Sequence, residues 1–185
     1  MSVVENFARM ASHMVEGMMV HEQLMNAYLF IGLKGYAACH KYHYLEETKG
    51  YISLCEYSVE HFDRMITANI DPTNLPEIIP NSWKQSNKYN IDAKTRLQAV
   101  EAAIEEWIDW EEKTKAFYES IFDETINEDV AASELVKSYI LDVEEEIVYA
   151  KNELLAKRAM EFDMPSILEE QEKYERSFKK KIRKG

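Results

Sequence analysis

Apolar residues recur every three or four positions over most of the chain, and this spacing is typical of amphipathic helices. The stretches that carry the pattern cover about residues 5–39, 45–69, 92–122, 130–161 and 166–182. Asp92 is a favourable N-cap for the third stretch, and Asp129 or Asn127 for the fourth. The sequence offers no alternating run of β-branched residues, so we predict an all-α protein.

Prolines interrupt this helical pattern mainly in one stretch. Three of the four prolines, Pro72, Pro76 and Pro80, lie in a single stretch between the second and third predicted helices. Because proline is excluded from helix interiors, this stretch predicts one long crossover between two antiparallel helix pairs. We therefore expect an up-down four-helix bundle over residues 1–162, followed over residues 163–185 by a fifth, C-terminal helix with a basic tip.

The composition restricts the classes of partner. The 34 acidic and 22 basic residues give a net charge of −12, and such a surface repels nucleic acid and anionic membranes. We expect any nucleic-acid contact only through the basic tip at 179–184. No apolar run is long enough to span a bilayer. The two cysteines, Cys39 and Cys55, lack a CxxC spacing and indicate reduced thiols in a cytoplasmic protein.

Each of the four long predicted helices carries a glutamate on or beside its apolar stripe. On a helical wheel Glu22 and Glu111 fall inside their stripes, and Glu56 and Glu146 lie about 60° from the stripe centres. Four buried carboxylates repel one another unless they bind cations or take up protons. Carboxylate oxygens suit iron and manganese, so the pattern predicts a metal site in the bundle core.

The spacing of these glutamates supports the same interpretation. Glu22 and Glu56 are 34 positions apart, and Glu111 and Glu146 are 35 apart, which places each pair at a similar height in its hairpin. Over about residues 14–160 the chain resembles the ferritin-like superfamily (ferritins, bacterioferritins and rubrerythrins), on its topology, its carboxylates and phrases such as VEHFDRMI and VEEEIV. The resemblance implies a carboxylate-bridged di-metal centre whose ligands include these four glutamates.

The ligand pattern departs from the family at two positions. Family members take a Glu-x-x-His or Glu-x-x-Glu pair from two of the helices, but neither Glu56 nor Glu146 is followed by such a partner. A second register makes His61 the ligand on the second helix, and Asp142 is the alternative on the fourth. The sequence leaves three outcomes open, which are an atypical di-metal site, a site for one metal, and a site that has been lost.

Three functions follow from these outcomes. The first is a metal-binding bundle that handles iron, or manganese, in oxidation, storage or peroxide-linked redox chemistry. The second is a metal-free bundle for assembly or partner binding, and the third is a di-metal oxidase of an organic substrate. The resemblance also implies a homo-oligomer. His21, His40 and His43 are weaker ligand candidates than His61. HEQLM at 21–25 lacks the second histidine of a zinc-binding HExxH motif. His40 and His43 lie at a predicted helix end, where a cation favours the helix dipole.

Overall fold

The chain folds into five α-helices, in a computed structural model that describes residues 2–78, 91–161 and 163–183. The helices are α1 Val3–Phe30, α2 Lys34–Phe62, α3 Ala93–Thr125, α4 Val130–Ala159 and α5 Met164–Ile182. Within these ranges the structure has no strand, so the all-α prediction is confirmed. Helices α1 to α4 form the four-helix bundle, and α5 packs on its side.

The turn between α1 and α2 lies earlier than the sequence pattern predicts. The chain reverses at residues 31–33, where Gly32 has a φ of +86° that glycine adopts without steric cost. The amide of Leu33 donates to the carbonyl of Tyr28 over 2.8 Å and closes the turn. The sequence pattern predicts a break around residues 39–46, between the stretches at 5–39 and 45–69, and this prediction is wrong. That segment is helical throughout, and its two histidines, His40 and His43, are buried inside the bundle.

Aspartates begin the last three helices. Asp92 accepts a hydrogen bond from the amide of Thr95 over 2.7 Å, which confirms the predicted start of α3. Asp129 caps α4 and Asp163 caps α5 in the same manner. The crossover includes a short 3₁₀ helix, Pro72–Asn74, and its residues 79–90, with Pro80, lie outside the described residues.

The buried positions of α1 follow a heptad spacing, with alternating steps of three and four residues. They include Val3, Phe7, Met10, Met14, Gly17, His21, Leu24 and Tyr28. This spacing is that of helices packed nearly parallel in a bundle. Apolar clusters fill the bundle toward each end of the seam, and the middle of the seam runs through His21. The interior therefore contains a polar layer between two apolar ones.

Helix α5 is fastened to the bundle at two places. At the start of α2, the amide of Gly35 donates to the side-chain oxygen of Gln171 over 3.1 Å. At the end of α4, the ammonium of Lys157 contacts Glu170 on α5 and also lies 2.9 Å from Glu153. The phenol of Tyr36 donates to the same Glu170 over 2.6 Å. These contacts hold α5 along α2.

Replacing Gly35 by alanine tests how closely α5 must approach α2. A Cβ at this position would lie 1.8 Å from the carbonyl oxygen of Gln171, so the α5 backbone has to move away. We expect Gly35→Ala to lower the free energy of unfolding by about 1–3 kcal/mol, as overpacking does in tight interiors. Urea denaturation followed by circular dichroism measures the change.

The matched control is Gly50→Ala, which places the same new methyl group inside α2. Its Cβ would meet the nearest atoms of Met14 and Tyr139 at 3.5 Å, which is ordinary van der Waals contact. We expect Gly50→Ala to be neutral or stabilising, because alanine favours helix over glycine by about 1 kcal/mol. Equal destabilisation by both variants would contradict the close approach of α5 at Gly35.

Candidate metal centre

Three helices bring one potential metal ligand each into the polar layer. His21 on α1, Glu111 on α3 and Glu146 on α4 each offer a donor atom, and these atoms all lie within 4.8 Å of one another. The side chains of His21 and Glu111 are both 1% exposed, and His21 Nε2 is 3.5 Å from Glu111 Oε1. Ligands of one transition-metal ion lie roughly 3–4 Å apart, as the His21 and Glu111 donors do, so this group is a candidate site for a single ion.

Helix α2 adds a histidine and a glutamate at the edge of the group. His43 Nδ1 is 2.9 Å from Glu146 Oε2. Glu47 lies one turn further along α2, with its carboxylate against Gly17 of α1. A Cβ on Gly17 would be 2.9 Å from Glu47 Oε1, so the glycine leaves room for the carboxylate to enter the bundle. All four bundle helices therefore contribute to the polar layer.

Neighbouring side chains orient the donors. His21 Nδ1 lies 3.2 Å from His40 Nδ1, which leaves His21 Nε2 toward Glu111. Among the described residues His21 Nε2 has no hydrogen-bond partner. The indole of Trp107 donates to Glu111 Oε1 over 3.2 Å. A histidine held at one ring nitrogen and unpartnered at the other is the arrangement of metal-binding histidines.

Burial sets the charge of the centre. Burial, together with the charge of His43, lowers the pKa of His21 to about 3, so its imidazole is neutral and has a free lone pair. Burial and the charge of Glu146 raise the pKa of Glu111 well above its usual range. Burial also disfavours charge on His43 and Glu146, but the attraction between the two groups is stronger. It raises the pKa of His43 and lowers the pKa of Glu146, so they form an ion pair.

A cavity of about 530 Å³ connects the centre to the surface between α2 and α4. His43, Glu47 and Glu146 form its inner wall, and α5 contributes Phe178 and Lys181 at its mouth. The His43 and Phe178 rings have centroids 6.4 Å apart. The centre is therefore buried on the α1 and α3 side and reachable from the α2 and α4 side.

Solved structures share this architecture. The open-pore ferritin of the hyperthermophilic archaeon Archaeoglobus fulgidus superposes with a TM-score of 0.74 and 16% identity, over 94% of each chain. This chain has a ferritin-like fold. An engineered closed form of the same archaeal ferritin gives 0.75 at 16% identity, over 95% of this chain and 96% of that chain. A humanized archaeal ferritin gives 0.74 at 17% identity, over 95% and 97%.

These likenesses establish the fold of the bundle. No protein-family model matches the sequence, and no curated protein matches it. In the described part of the chain, every helix is too short or too polar to cross a membrane. The side chains of the polar layer therefore carry the evidence for the function of the ferritin-like bundle.

The bundle brings two of the five sequence-predicted ligands together and leaves the other three at the surface. Glu111 and Glu146 belong to the centre. Glu22 is exposed because it follows the buried His21 by one position and turns about 100° away from it. Glu56 is exposed because it lies two positions after the buried Leu54, on the opposite side of α2.

His61 lies at the exposed end of α2, away from the polar layer. Its ring stacks on that of Tyr57 with a centroid distance of 3.9 Å. Asp142, the alternative on α4, is exposed at the mouth of the cavity. Neither residue belongs to the group of donors around His21.

Sequence reasoning gave too little weight to three members of the polar layer, which are His21, His43 and Glu47. The heptad spacing of α1 contains a signal for His21, since it lies seven positions from both Met14 and Tyr28. His43 gave no such signal because residues 39–46 were interpreted as a turn, and Glu47 lies off the apolar stripe of the second helix predicted at 45–69. Once α2 begins at Lys34, both fall on its inner face.

Proposed function

We propose that this ferritin-like bundle binds iron(II) as its substrate at His21, Glu111 and Glu146 and oxidises it to iron(III). The observation that supports the proposal is the group of three donors within 4.8 Å of one another in the bundle core. Imidazole nitrogen with carboxylate oxygen is a donor set that suits iron and also manganese. The ferritin structures with the same fold support iron as the first candidate.

The residues of the centre have separate tasks in this proposal. His21 offers a lone pair without first losing a proton, because burial keeps it neutral. Glu111 gives up a proton when the ion binds, and its charge then offsets part of the ion's charge. Glu146 is already ionised beside His43. Oxygen donors stabilise iron(III) over iron(II), which favours the oxidation.

Dioxygen or hydrogen peroxide is the electron acceptor that this chemistry requires. Two iron(II) ions supply the two electrons that, with two protons, reduce one hydrogen peroxide molecule to two water molecules. The opening between α2 and α4 admits small oxidants to the inner wall. The carboxylate-bridged di-metal centre that the resemblance implies stays a prediction, with Glu47 and His43 as the nearest further donors.

Anaerobic titration of iron(II) into the metal-free protein, followed by calorimetry, tests the proposal. We expect saturable binding by the wild type and at least about tenfold weaker binding by His21→Ala, because the neutral nitrogen donor is lost. The stoichiometry distinguishes one ion per chain from two. Subsequent addition of peroxide, followed by the ultraviolet absorbance of iron(III), reports the oxidation.

The control for this titration is Glu22→Gln, which removes the neighbouring exposed carboxylate and leaves the inner face of α1 unchanged. We expect it to bind iron(II) as the wild type does. Equal affinities of the wild type and His21→Ala would contradict the assignment of the centre. A flat titration of the wild type would instead favour the metal-free assembly role.

The surface of α4 favours a homo-oligomer, which we include in the proposal. Leu141, Val148 and Leu155 recur at intervals of seven residues and are 53%, 59% and 63% exposed. A stripe of exposed apolar side chains along one helix is typical of an interface between protein chains. Gel filtration with light scattering measures the assembly, and a monomer would argue against a storage shell.

We also propose a cytoplasmic location, since Cys39 and Cys55 are free thiols.

A further inference from the structure

The cavity between α2 and α4 is much larger than a metal ion requires. Its volume of about 530 Å³ falls within the roughly 300–1,000 Å³ of pockets that hold small organic molecules. Met14 and Val143 add apolar surface to its wall. A hydrated metal ion gains nothing from such surface, whereas an organic ligand does. The cavity therefore has the dimensions of a ligand site.

Gly50 helps to create this space. A Cβ there would have ordinary 3.5 Å contacts to Met14 and Tyr139, so a methyl group fits without strain. Gly50 lies in the interior of α2 without a positive φ, where glycine is less favourable than alanine. The backbone does not require a glycine at this position. What the glycine supplies is open volume beside Tyr139.

The wall of the cavity combines aromatic rings with carboxylates. The rings are those of Tyr42, Tyr118, Tyr139, Tyr149 and Phe178. The carboxylates are those of Glu46, Glu47, Asp142, Glu145 and Glu146, and the lysines are Lys49 and Lys181. Carboxylates thus outnumber ammonium groups. Aromatic faces and carboxylates both attract cations, so the lining selects for positive charge.

The carboxylates at the mouth are available to a ligand. Lys49 is paired with Glu46 over 3.0 Å, and His43 is paired with Glu146. Over the described ranges, no lysine, arginine or histidine lies within ion-pair distance of Asp142 or Glu145. Burial raises the pKa of Asp142, and the charges of Glu145 and Glu146 add to the effect. A bound cation would relieve this repulsion.

An ammonium group of the chain itself already occupies the aromatic part of the mouth. The Lys181 Nζ atom lies 4.9 Å from the centroid of the Tyr42 ring and 5.0 Å from that of Phe178. These distances are those of cation–π contacts. The mouth therefore holds one alkylammonium group from α5, and the same surface continues inward along the tyrosines.

We infer that the cavity binds a linear organic ammonium ligand, a primary diamine or polyamine. One ammonium group is held by Asp142 and Glu145 at the mouth. The alkyl chain lies along Met14 and Tyr139 in the space that Gly50 leaves open. A second ammonium group reaches Glu47 on the inner wall. The site borders the iron(II) donor Glu146 on its inner wall but includes neither His21 nor Glu111, and binding does not require a metal.

Calorimetric titration of the metal-free protein with 1,4-diaminobutane tests the inference. Two probes of similar length serve as controls, the neutral 1,4-butanediol and the dianion succinate. We expect saturable binding of the diamine at one molecule per chain, and no saturable binding of the other two. Diamine heats that do not saturate, or that match those of butanediol, would overturn the inference.

Variants distinguish diamine binding in the cavity from nonspecific attraction of the diamine to the acidic surface. We expect Asp142→Asn combined with Glu145→Gln to weaken diamine binding at least tenfold. Glu134→Gln, an equally exposed change on α4, should leave it unchanged. Gly50→Leu fills the cavity and should abolish binding, whereas Gly50→Ala should retain it. Circular dichroism verifies the fold of Gly50→Leu, and the exposed double variant decides the outcome if that protein does not fold.

The same double variant distinguishes failure of this inference from failure of the proposed iron function. We expect Asp142→Asn with Glu145→Gln to keep the iron(II) affinity of the wild type, because neither residue belongs to the group around His21. Equal weakening of iron(II) and diamine binding would overturn the inference, since the two carboxylates would then act as a general entrance for cations.

Discussion

We expect Glu111→Gln to weaken iron(II) binding strongly and at the same time to stabilise the metal-free protein at neutral pH. Glu111 is 1% exposed, and the described residues place no lysine or arginine beside its carboxylate. Glutamine keeps the shape and the hydrogen bond from Trp107 but removes the cost of protonating the buried carboxylate on folding at neutral pH, a gain on the order of 1 kcal/mol. Loss of a carboxylate ligand should weaken iron(II) binding at least ~100-fold.

The pH dependence of this effect has a definite sign. The folded pKa of Glu111 is raised above the unfolded value of 4.5, so its contribution to stability is complete below pH 4.5. That contribution decreases as the pH rises through the folded pKa. The Glu111→Gln protein does not lose this stability as the pH rises, because glutamine does not titrate. The stability difference between the variant and the wild type should therefore grow with rising pH.

Urea denaturation of chelator-treated protein across a pH series measures the stability, and anaerobic calorimetry measures the iron(II) affinity. Glu112→Gln is the matched control, because Glu112 is the next residue and forms an exposed pair with Lys151 over 2.6 Å. Loss of such a pair costs less than about 1 kcal/mol. An iron(II) affinity of Glu111→Gln equal to that of Glu112→Gln would exclude Glu111 from the centre.

Lys157→Met lowers the free energy of unfolding by about 3–5 kcal/mol, because it leaves carboxylates without their cation. The side chain of Lys157 is 0% exposed, and its ammonium contacts both Glu153 and Glu170. Those carboxylates accept the phenol hydrogens of Tyr174 and Tyr36, respectively. One lysine therefore holds two glutamates and two tyrosines on α2, α4 and α5 together.

A triple variant tests this explanation. Lys157→Met combined with Glu153→Gln and Glu170→Gln removes the unpaired charges, and we expect it to recover most of the lost stability. Lys151→Met, on the same helix, is the control, since Lys151 is 50% exposed and should cost less than about 1 kcal/mol. Limited trypsin digestion shows whether α5 detaches first. A Lys157→Met protein as stable as Lys151→Met would contradict the network.

Local signals in the sequence were sufficient for much of the fold. The prolines marked the crossover, and Asp92 and Asp129 marked helix starts, because proline and N-cap chemistry act within a few residues. The break between α1 and α2 was misplaced for a related reason. The polar segment 39–46 has the composition of a loop, and its composition alone does not show that it lines a polar layer inside the bundle.

The candidate site was only partly predictable from the same signals. Glu111 lies on a stripe whose aromatic residues, such as Trp107 and Tyr118, leave one choice of inner face. Helix α1 is apolar on more than one side, and Leu29 on the flank near Glu22 is 48% exposed. A helical wheel does not distinguish these sides. The inner face of α1 follows instead from packing between helices, including the approach of Glu47 to Gly17.

The attachment of α5 has a consequence for the dielectric environment of the metal centre. Phe178 stands beside His43, and α5 is also fastened at Gly35 and Lys157. Loosening of either fastening would widen the mouth of the cavity and bring more water to the inner wall, where it screens the attraction between His43 and Glu146. The electrostatic environment of the ion pair would then depend on contacts at Gly35 and Lys157, which neither His43 nor Glu146 makes.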